Sequence, residues 1–72
     1  MDKTINIGDL VLCTFQPKTS HVNNKGEAVR MKHKIKGEIG ILTKNRDFKS
    51  GYVYFPRFLY THCLNFKTLK KL

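Results

Sequence analysis

The hydrophobic residues of this chain fall in short runs that are separated by turn-forming residues. Alternation of apolar and polar residues is typical of a β-strand, and clusters of Gly, Pro, Asn and Asp mark the turns between strands. On this pattern we expect strands at residues 10–15, 27–36, 38–43, 52–55, 58–64 and 69–72, and one helical turn at residues 65–68. Gly40, inside a predicted strand, indicates a β-bulge or a close approach of neighbouring backbone. The pattern predicts an all-β fold in which residues 1–72 form a single domain.

The clearest alternation lies in residues 27–36. Four less polar residues alternate there with four cations, namely Val29, Met31, His33 and Ile35 with Arg30, Lys32, Lys34 and Lys36. On a helix, at about 100° per residue, these cations would spread around the circumference, whereas on a strand they share one face. Residues 23–26, just before this segment, include types that tolerate positive φ and predict a hairpin tip. We therefore interpret residues 27–36 as the return strand of a long hairpin.

The length and composition are those of one small folded domain. A chain of 72 residues can build one core, and an apolar fraction of 40% with eight aromatic residues is enough for it. No apolar run reaches the roughly 18–20 residues of a membrane span, and the N-terminus lacks an apolar signal core. The two cysteines, Cys13 and Cys63, are too few for the disulfide framework of a small secreted domain, so we expect reduced thiols. These features predict a soluble, cytoplasmic protein without a membrane partner.

The charge of the chain is large and unevenly distributed. The formal net charge is +9, yet residues 1–29 contain three cations and three carboxylates. Residues 30–36 contribute four positive charges and residues 37–72 a net five. Such a charge repels itself in the compact state, and a polyanionic partner would relieve the repulsion. The alternative is that the charge serves solubility alone.

The strongest candidate site is the set of four alternating cations, Arg30, Lys32, Lys34 and Lys36. Side chains on one face of a strand repeat every ~6.5–7 Å, which is close to the spacing of phosphates along a nucleic-acid strand. Binding through phosphates would be independent of base sequence and would weaken with added salt. The structural alternative is an edge strand whose lysines prevent edge-to-edge aggregation.

A second candidate site combines cations of one predicted turn with aromatic residues. The cations are Lys44, Arg46 and Lys49, with Arg57 after the next strand, and the aromatic residues are Phe48, Tyr52 and Tyr54. Bases stack on such rings for about 1–3 kcal/mol each. The alternative for the two tyrosines is a place in the core or a half-buried place in the fold. Lys67, Lys70 and Lys71 form either a third basic group or a solvated tail.

The sequence offers no pattern for a metal site or for catalysis. The histidines and cysteines show no C-x-x-C or H-x-x-x-H spacing, and the five carboxylates form no recognisable catalytic pair. No nucleophile motif or phosphate-binding loop is present. We therefore expect a protein that is not an enzyme and that uses no metal or cofactor.

Three segments together carry a family resemblance. Residues 7–11 (IGDLV), residues 37–43 (GEIGILT) and the end of the chain from residue 52 onward are similar to the strands of small SH3-like barrels. This group includes KOW and Tudor-type modules and many short bacteriophage-encoded proteins. The chain departs from the pattern in having no Trp and in a long, basic first loop at residues 16–34.

The resemblance implies a small SH3-like barrel of about five strands, with a long first loop or hairpin and a helical turn before the last strand. It also implies a binding module, because these barrels seldom catalyse reactions. With the charge, it favours a phage-type, non-catalytic accessory or regulatory protein that binds DNA or RNA in the host cytoplasm. The alternative is a protein-interaction module that docks on an acidic surface of a host polymerase, nucleoid protein or defence enzyme. The sequence leaves open whether the protein is a monomer or a homodimer.

Overall fold

The computed structural model describes residues 4–22 and 25–72. This part of the chain forms β-strands and one short 3-10 helix at Phe66–Thr68. The strands are β1 (Leu10–Cys13), β2 (Thr19–Val22), β3 (Ala28–Arg30), β4 (Ile39–Asn45), β5 (Ser50–Phe55), β6 (Tyr60–Asn65) and β7 (Leu69–Lys71).

Five of these strands form one open antiparallel sheet in the order β6-β5-β4-β1-β7. The other two, β2 and β3, pair as a hairpin within the connection between β1 and β4. The predicted all-β fold is therefore confirmed, with its five main strands, its hairpin in the long first connection and its helical turn before the last strand. The relationship to SH3-like barrels itself stays a prediction.

The core lies on one face of the main sheet. Along β5, Val53 and Phe55 point into it, and Tyr52 and Tyr54 point to the opposite face. The buried core residues are Val11, Cys13, Ile35, Leu42, Val53, Phe55, His62, Leu64 and Leu69. Each large apolar side chain buried in this way contributes about 1.5–3 kcal/mol, so a few residues supply most of the stability of this small domain.

Gly40 marks a close approach between β4 and β5, as the sequence predicts. A Cβ at this position would lie 2.5 Å from Val53 Cγ1 and 2.9 Å from the carbonyl oxygen of Tyr54. The irregular pairing of β4 with β5 lies farther along, between Leu42 and Lys44. Position 40 therefore requires glycine, because there is no room for a side chain and even a Cβ would push β5 away from β4.

The predicted strand at residues 27–36 is wrong beyond Arg30, where β3 ends. One more backbone hydrogen bond follows, from Met31 N–H to the Lys18 carbonyl oxygen at 3.0 Å. The chain then leaves the hairpin, because Ile35 is fully buried in the core and Gly37 turns the backbone with a φ of 86°. Because the side chain of Ile35 packs in the core, the backbone of residues 31–36 cannot continue along the hairpin as a longer strand would.

Other boundaries differ from the sequence prediction by a few residues. β6 begins at Tyr60, because residues 56–59 form the turn after β5. Residues 23 and 24 of the predicted hairpin tip lie outside the described residues. Gly26, in the same tip, has the positive φ that such a turn uses, at 80°.

No helix in residues 4–22 and 25–72 has the length and hydrophobicity to cross a membrane.

The close approach at Gly40 predicts a large loss of stability in the variant Gly40→Ala. We expect its free energy of unfolding to fall by about 3 kcal/mol, because the new methyl group overpacks the contact between β4 and β5. Gly37→Ala is the matched control, since Gly37 has a positive φ but open space around it. Its expected cost is about 1 kcal/mol, from the left-handed backbone alone. Urea unfolding measures both, and equal losses would contradict the packing argument.

Candidate functional site

Residues 30–36, which we call the basic segment, are held in place by the side chain of Gln16. Its Nε2 donates to the carbonyl oxygen of His33 at 3.0 Å. Its Oε1 accepts from the backbone N–H groups of Ile35 at 2.7 Å and Lys36 at 3.1 Å. One side-chain amide thus satisfies three backbone groups of the basic segment, in the way that a neighbouring strand would.

Exposed and buried side chains alternate along the basic segment, in the same order as the charged and less polar residues of the sequence. Met31 and His33 are half-buried and Ile35 is buried, whereas the four cations between and beside them are exposed. The cations are Arg30, Lys32, Lys34 and Lys36. The segment therefore presents all four charges to solvent, but without the regular spacing of a strand.

An aromatic cluster fastens the basic segment to β6. His33 stacks on Phe58, with ring centroids 4.5 Å apart and planes 12° apart, and meets Tyr60 edge-on at 5.2 Å. The Nδ1 atom of His33 lies 3.0 Å from Nε2 of His62, so the N–H group of one ring donates a hydrogen bond to the nitrogen of the other. Lys32 Nζ lies 5.6 Å from the centroid of the Tyr60 ring. These contacts restrain the backbone from which the cations project.

Sequence reasoning did not identify Phe58, Tyr60 and His62 as part of this site. They follow the basic segment by more than 20 positions, and the spacing of apolar residues carries no sign of the contact. The available signal was the position of His33 between Lys32 and Lys34, because a buried polar ring nitrogen needs a hydrogen-bond partner.

Ion pairing separates the predicted cations into two kinds. Arg57 Nη1 lies 3.1 Å from Glu38 Oε2, so its charge is matched. Arg30, Lys34 and Lys36 form no ion pair with another residue of the described ranges. Three exposed charges of the basic segment therefore remain available to an external anion, and Arg57 is the weaker candidate.

The second predicted site is a compact turn between β4 and β5. The Oδ1 atom of Asp47 accepts from the N–H groups of Lys49 at 2.8 Å and Ser50 at 2.9 Å. These bonds hold the pKa of Asp47 below its ordinary value. Phe48 is 86% exposed, and Lys49 Nζ lies 5.4 Å from its ring centroid. Arg46 donates to the sulfur of Cys63 at 3.7 Å.

The structure does not bring the two basic groups together. Lys32 lies over Tyr60 at the start of β6, whereas the carbonyl oxygen of Lys49 accepts from Phe66 N–H just beyond the end of β6. Six residues of extended chain, at about 3.3 Å each, separate these points by about 20 Å. A single compact ligand would contact one group or the other.

Tyr52 and Tyr54 are half-buried on the sheet face opposite the core. Tyr52 lies across from Lys44 on β4, but Tyr54 lies across from Ile41. Of these two tyrosines, Tyr52 is therefore the one with a cation opposite it on β4. In the third predicted group, Lys67 and Lys70 are exposed. Its remaining member, Lys71, pairs with Asp9 at 3.4 Å.

The ionisable residues of the described ranges do not gather into a metal site. No three His, Cys, Asp or Glu side chains of residues 4–22 and 25–72 lie close enough together to hold an ion. Both cysteines are free, as predicted, and they lie on opposite faces of the sheet. Cys13 is buried, which raises the pKa of its thiol.

The chain has no detected relatives. The comparisons found no protein-family model, no curated protein and no solved structure that matches it.

Gln16→Ala is expected to loosen the basic segment. The variant leaves the N–H group of the buried Ile35 without its acceptor, which costs about 1–3 kcal/mol of stability. Amide hydrogen exchange at Ile35 and Lys36 should accelerate. Gln16→Glu is the comparison variant, because it keeps the acceptor oxygen for Ile35 and Lys36 while it replaces the donor to His33 by an oxygen and adds a negative charge. Exchange at Ile35 and Lys36 should therefore be slower in Gln16→Glu than in Gln16→Ala. Wild-type exchange rates in Gln16→Ala would show that Gln16 does not anchor the segment.

Acid should destabilise the turn at Asp47. Because its pKa is lower in the folded protein than the ordinary 3.8, the stabilisation is complete above that pH and is lost as the pH falls below it. Asp47→Asn lacks this titration. We expect its melting temperature to be lower than that of the wild type at neutral pH. The difference between the two melting temperatures should shrink as the pH falls toward ~2. A gap that stays constant with pH would contradict this assignment.

Proposed function

We propose that the protein is a non-catalytic accessory or regulatory factor that binds DNA or RNA through phosphate contacts made by the basic segment. The observation that supports this most strongly is a set of exposed cations without ion-pair partners among the described residues, held on a restrained backbone. The resemblance to SH3-like barrels adds support, because such modules mostly bind other molecules. Its phage-encoded members suggest action in the cytoplasm of an infected host.

Phosphate contact explains why the charges are concentrated instead of dispersed. Each phosphate that a Lys or Arg neutralises releases a condensed counterion, so clustered cations on a fixed backbone gain affinity together. Gln16, His33 and the core residue Ile35 restrain this backbone before any ligand arrives. The ordering cost of binding is then smaller than for a flexible basic tail.

The alternative is docking on an acidic surface of a host protein. The observation that favours it is exposed apolar surface close to the cations, because Leu59 is 78% exposed between Phe58 and Tyr60. Phosphate binding does not use such a side chain, whereas protein interfaces combine apolar centres with charged rims. The two functions therefore differ in what Leu59 contributes.

A salt series with fluorescent oligonucleotides tests the proposal. We expect roughly micromolar binding of single- or double-stranded oligonucleotides at about 50 mM salt, with affinity that falls steeply as salt increases. In Lys34→Gln with Lys36→Gln, the log-log slope should decrease in magnitude by about 1.8 on duplex DNA and about 1.4 on a single strand. These two cations are chosen because neither touches an aromatic ring or a carboxylate of the described part.

Lys67→Gln with Lys70→Gln is the matched control for net charge. Both residues are exposed and lie outside the basic segment. The proposed site predicts an unchanged slope in this control. No binding at low salt would refute the nucleic-acid function, and an equal decrease in both variants would show that binding depends on net charge and not on the basic segment. If only the host-protein function is correct, Leu59→Asn should weaken capture of an acidic host protein from nuclease-treated lysate.

A further inference from the structure

The sheet face that points away from the core carries rows of large apolar side chains. Cross-strand pairs place these residues side by side in two rows, Leu10–Ile41–Tyr54 and Leu12–Ile39. Leu72 extends the first row, because its N–H donates to the carbonyl oxygen of Leu10 at 3.0 Å. We call this surface the outer face.

The outer face exposes more apolar side chains than is usual for a sheet that buries only one of its two faces. Leu10 is 51% exposed, Ile39 50% and Leu72 58%. In an antiparallel sheet with one face in water, positions on that face are normally polar. β1 reads LVLC and β4 begins IGIL, so both central strands are apolar on both faces. Such strands are typical of sheets that are covered on both sides.

The centre of the outer face is uncharged, in contrast to the rest of the molecule, because none of the residues in the two rows is charged. Two lysines flank the rows: Lys70 lies across from Leu12 on the edge strand β7, and Lys44 lies across from Tyr52. The carboxylates beside the ends of the rows, Asp9 and Glu38, are paired with Lys71 and Arg57. The centre of the face therefore fits an apolar partner.

We propose that the outer face is a homodimer interface, in which a second copy of this chain packs the same rows across a two-fold axis. The outer face of a second copy offers the same apolar rows. Two such sheets pack face to face about 10 Å apart, with their strands inclined by about 30°. An interface between identical surfaces also follows the commonest symmetry of soluble oligomers.

The size of the outer face is sufficient for a weak dimer. The strands β1, β7, β4, β5 and β6 have 4, 3, 7, 6 and 6 residues, and at about 3.3 Å per residue and about 4.8 Å between strands they give a footprint of about 400 Å² per copy. Two copies then bury about 800 Å², which lies at the low end of interface sizes, where weak and transient complexes are found. The basic segment does not take part, because Ile35 anchors it on the core side of the sheet. The dimer would present two basic segments on its outside.

This arrangement has a distinctive dependence on salt. Each copy carries a net charge of +9, so the two copies repel each other and salt should strengthen their apolar association. An electrostatic contact with an acidic partner or a nucleic acid would respond in the opposite direction. The sign of the salt effect therefore separates the dimer from the proposed nucleic-acid binding, and either can fail without the other.

Sedimentation equilibrium of the purified chain tests the proposal at about 0.1 M and about 1 M NaCl, where the Debye length falls from about 10 Å to about 3 Å. We expect a monomer–dimer equilibrium that is several-fold tighter at high salt. Leu10→Thr with Ile39→Thr keeps the charge and suits an exposed strand, and it should weaken dimerisation at least about tenfold. Leu59→Asn removes a more exposed leucine elsewhere and should leave dimerisation unchanged.

The proposal is overturned by a protein that stays monomeric at both salt concentrations, by a dimer that weakens with salt, or by a dimer that the double substitution does not affect. Methyl NMR of the wild type provides a second measurement that needs no variant. Concentration-dependent shifts should appear at Leu10, Leu12, Ile39 and Ile41 and not at Leu59. Shifts confined to Leu59 would exclude the outer face.

Discussion

The side-chain amide of Gln16 is the constraint on which the rest of the site depends. It bonds three backbone groups of the basic segment at the point where β3 has ended, so that a stretch carrying four cations is ordered without being a strand. Ile35 can then enter the core while the lysines beside it stay in water. His33 adds a second attachment through Phe58 and His62. Without these contacts, repulsion among the four charges would favour a disordered segment.

The sequence predicts most of the fold but less of the candidate site. The central strands follow from short runs of β-favouring apolar residues between turns, and Gly40 reveals the approach of β5 because only glycine fits there. The alternation at residues 29–36 correctly predicts which side chains are exposed, but it cannot distinguish a paired strand from an irregular segment, since side chains alternate in both. That difference is set by Gln16, which is distant in sequence. The packing of His33 on Phe58 likewise depends on tertiary contacts that no local pattern encodes.

The two faces of the sheet differ in a way that assigns them separate roles. The core side carries the basic segment, with charges that have no partner in the described chain, whereas the outer face is apolar and its flanking carboxylates are already paired. A small domain gains from this separation, because a charged ligand and an apolar partner would compete if they shared one surface. A dimer formed through the outer face would carry two basic segments, and a nucleic acid long enough to reach both would bind with higher affinity without new contacts.

The most direct test of the central claim is an amide NMR titration of the labelled protein with a short oligonucleotide. If the basic segment is the phosphate-binding site, the largest shift changes will lie in residues 30–36 and near Tyr60, which contacts Lys32. Residues of the turn between β4 and β5, about 20 Å away, will change little. Changes concentrated in that turn or on the outer face, with residues 30–36 unaffected, would contradict the account.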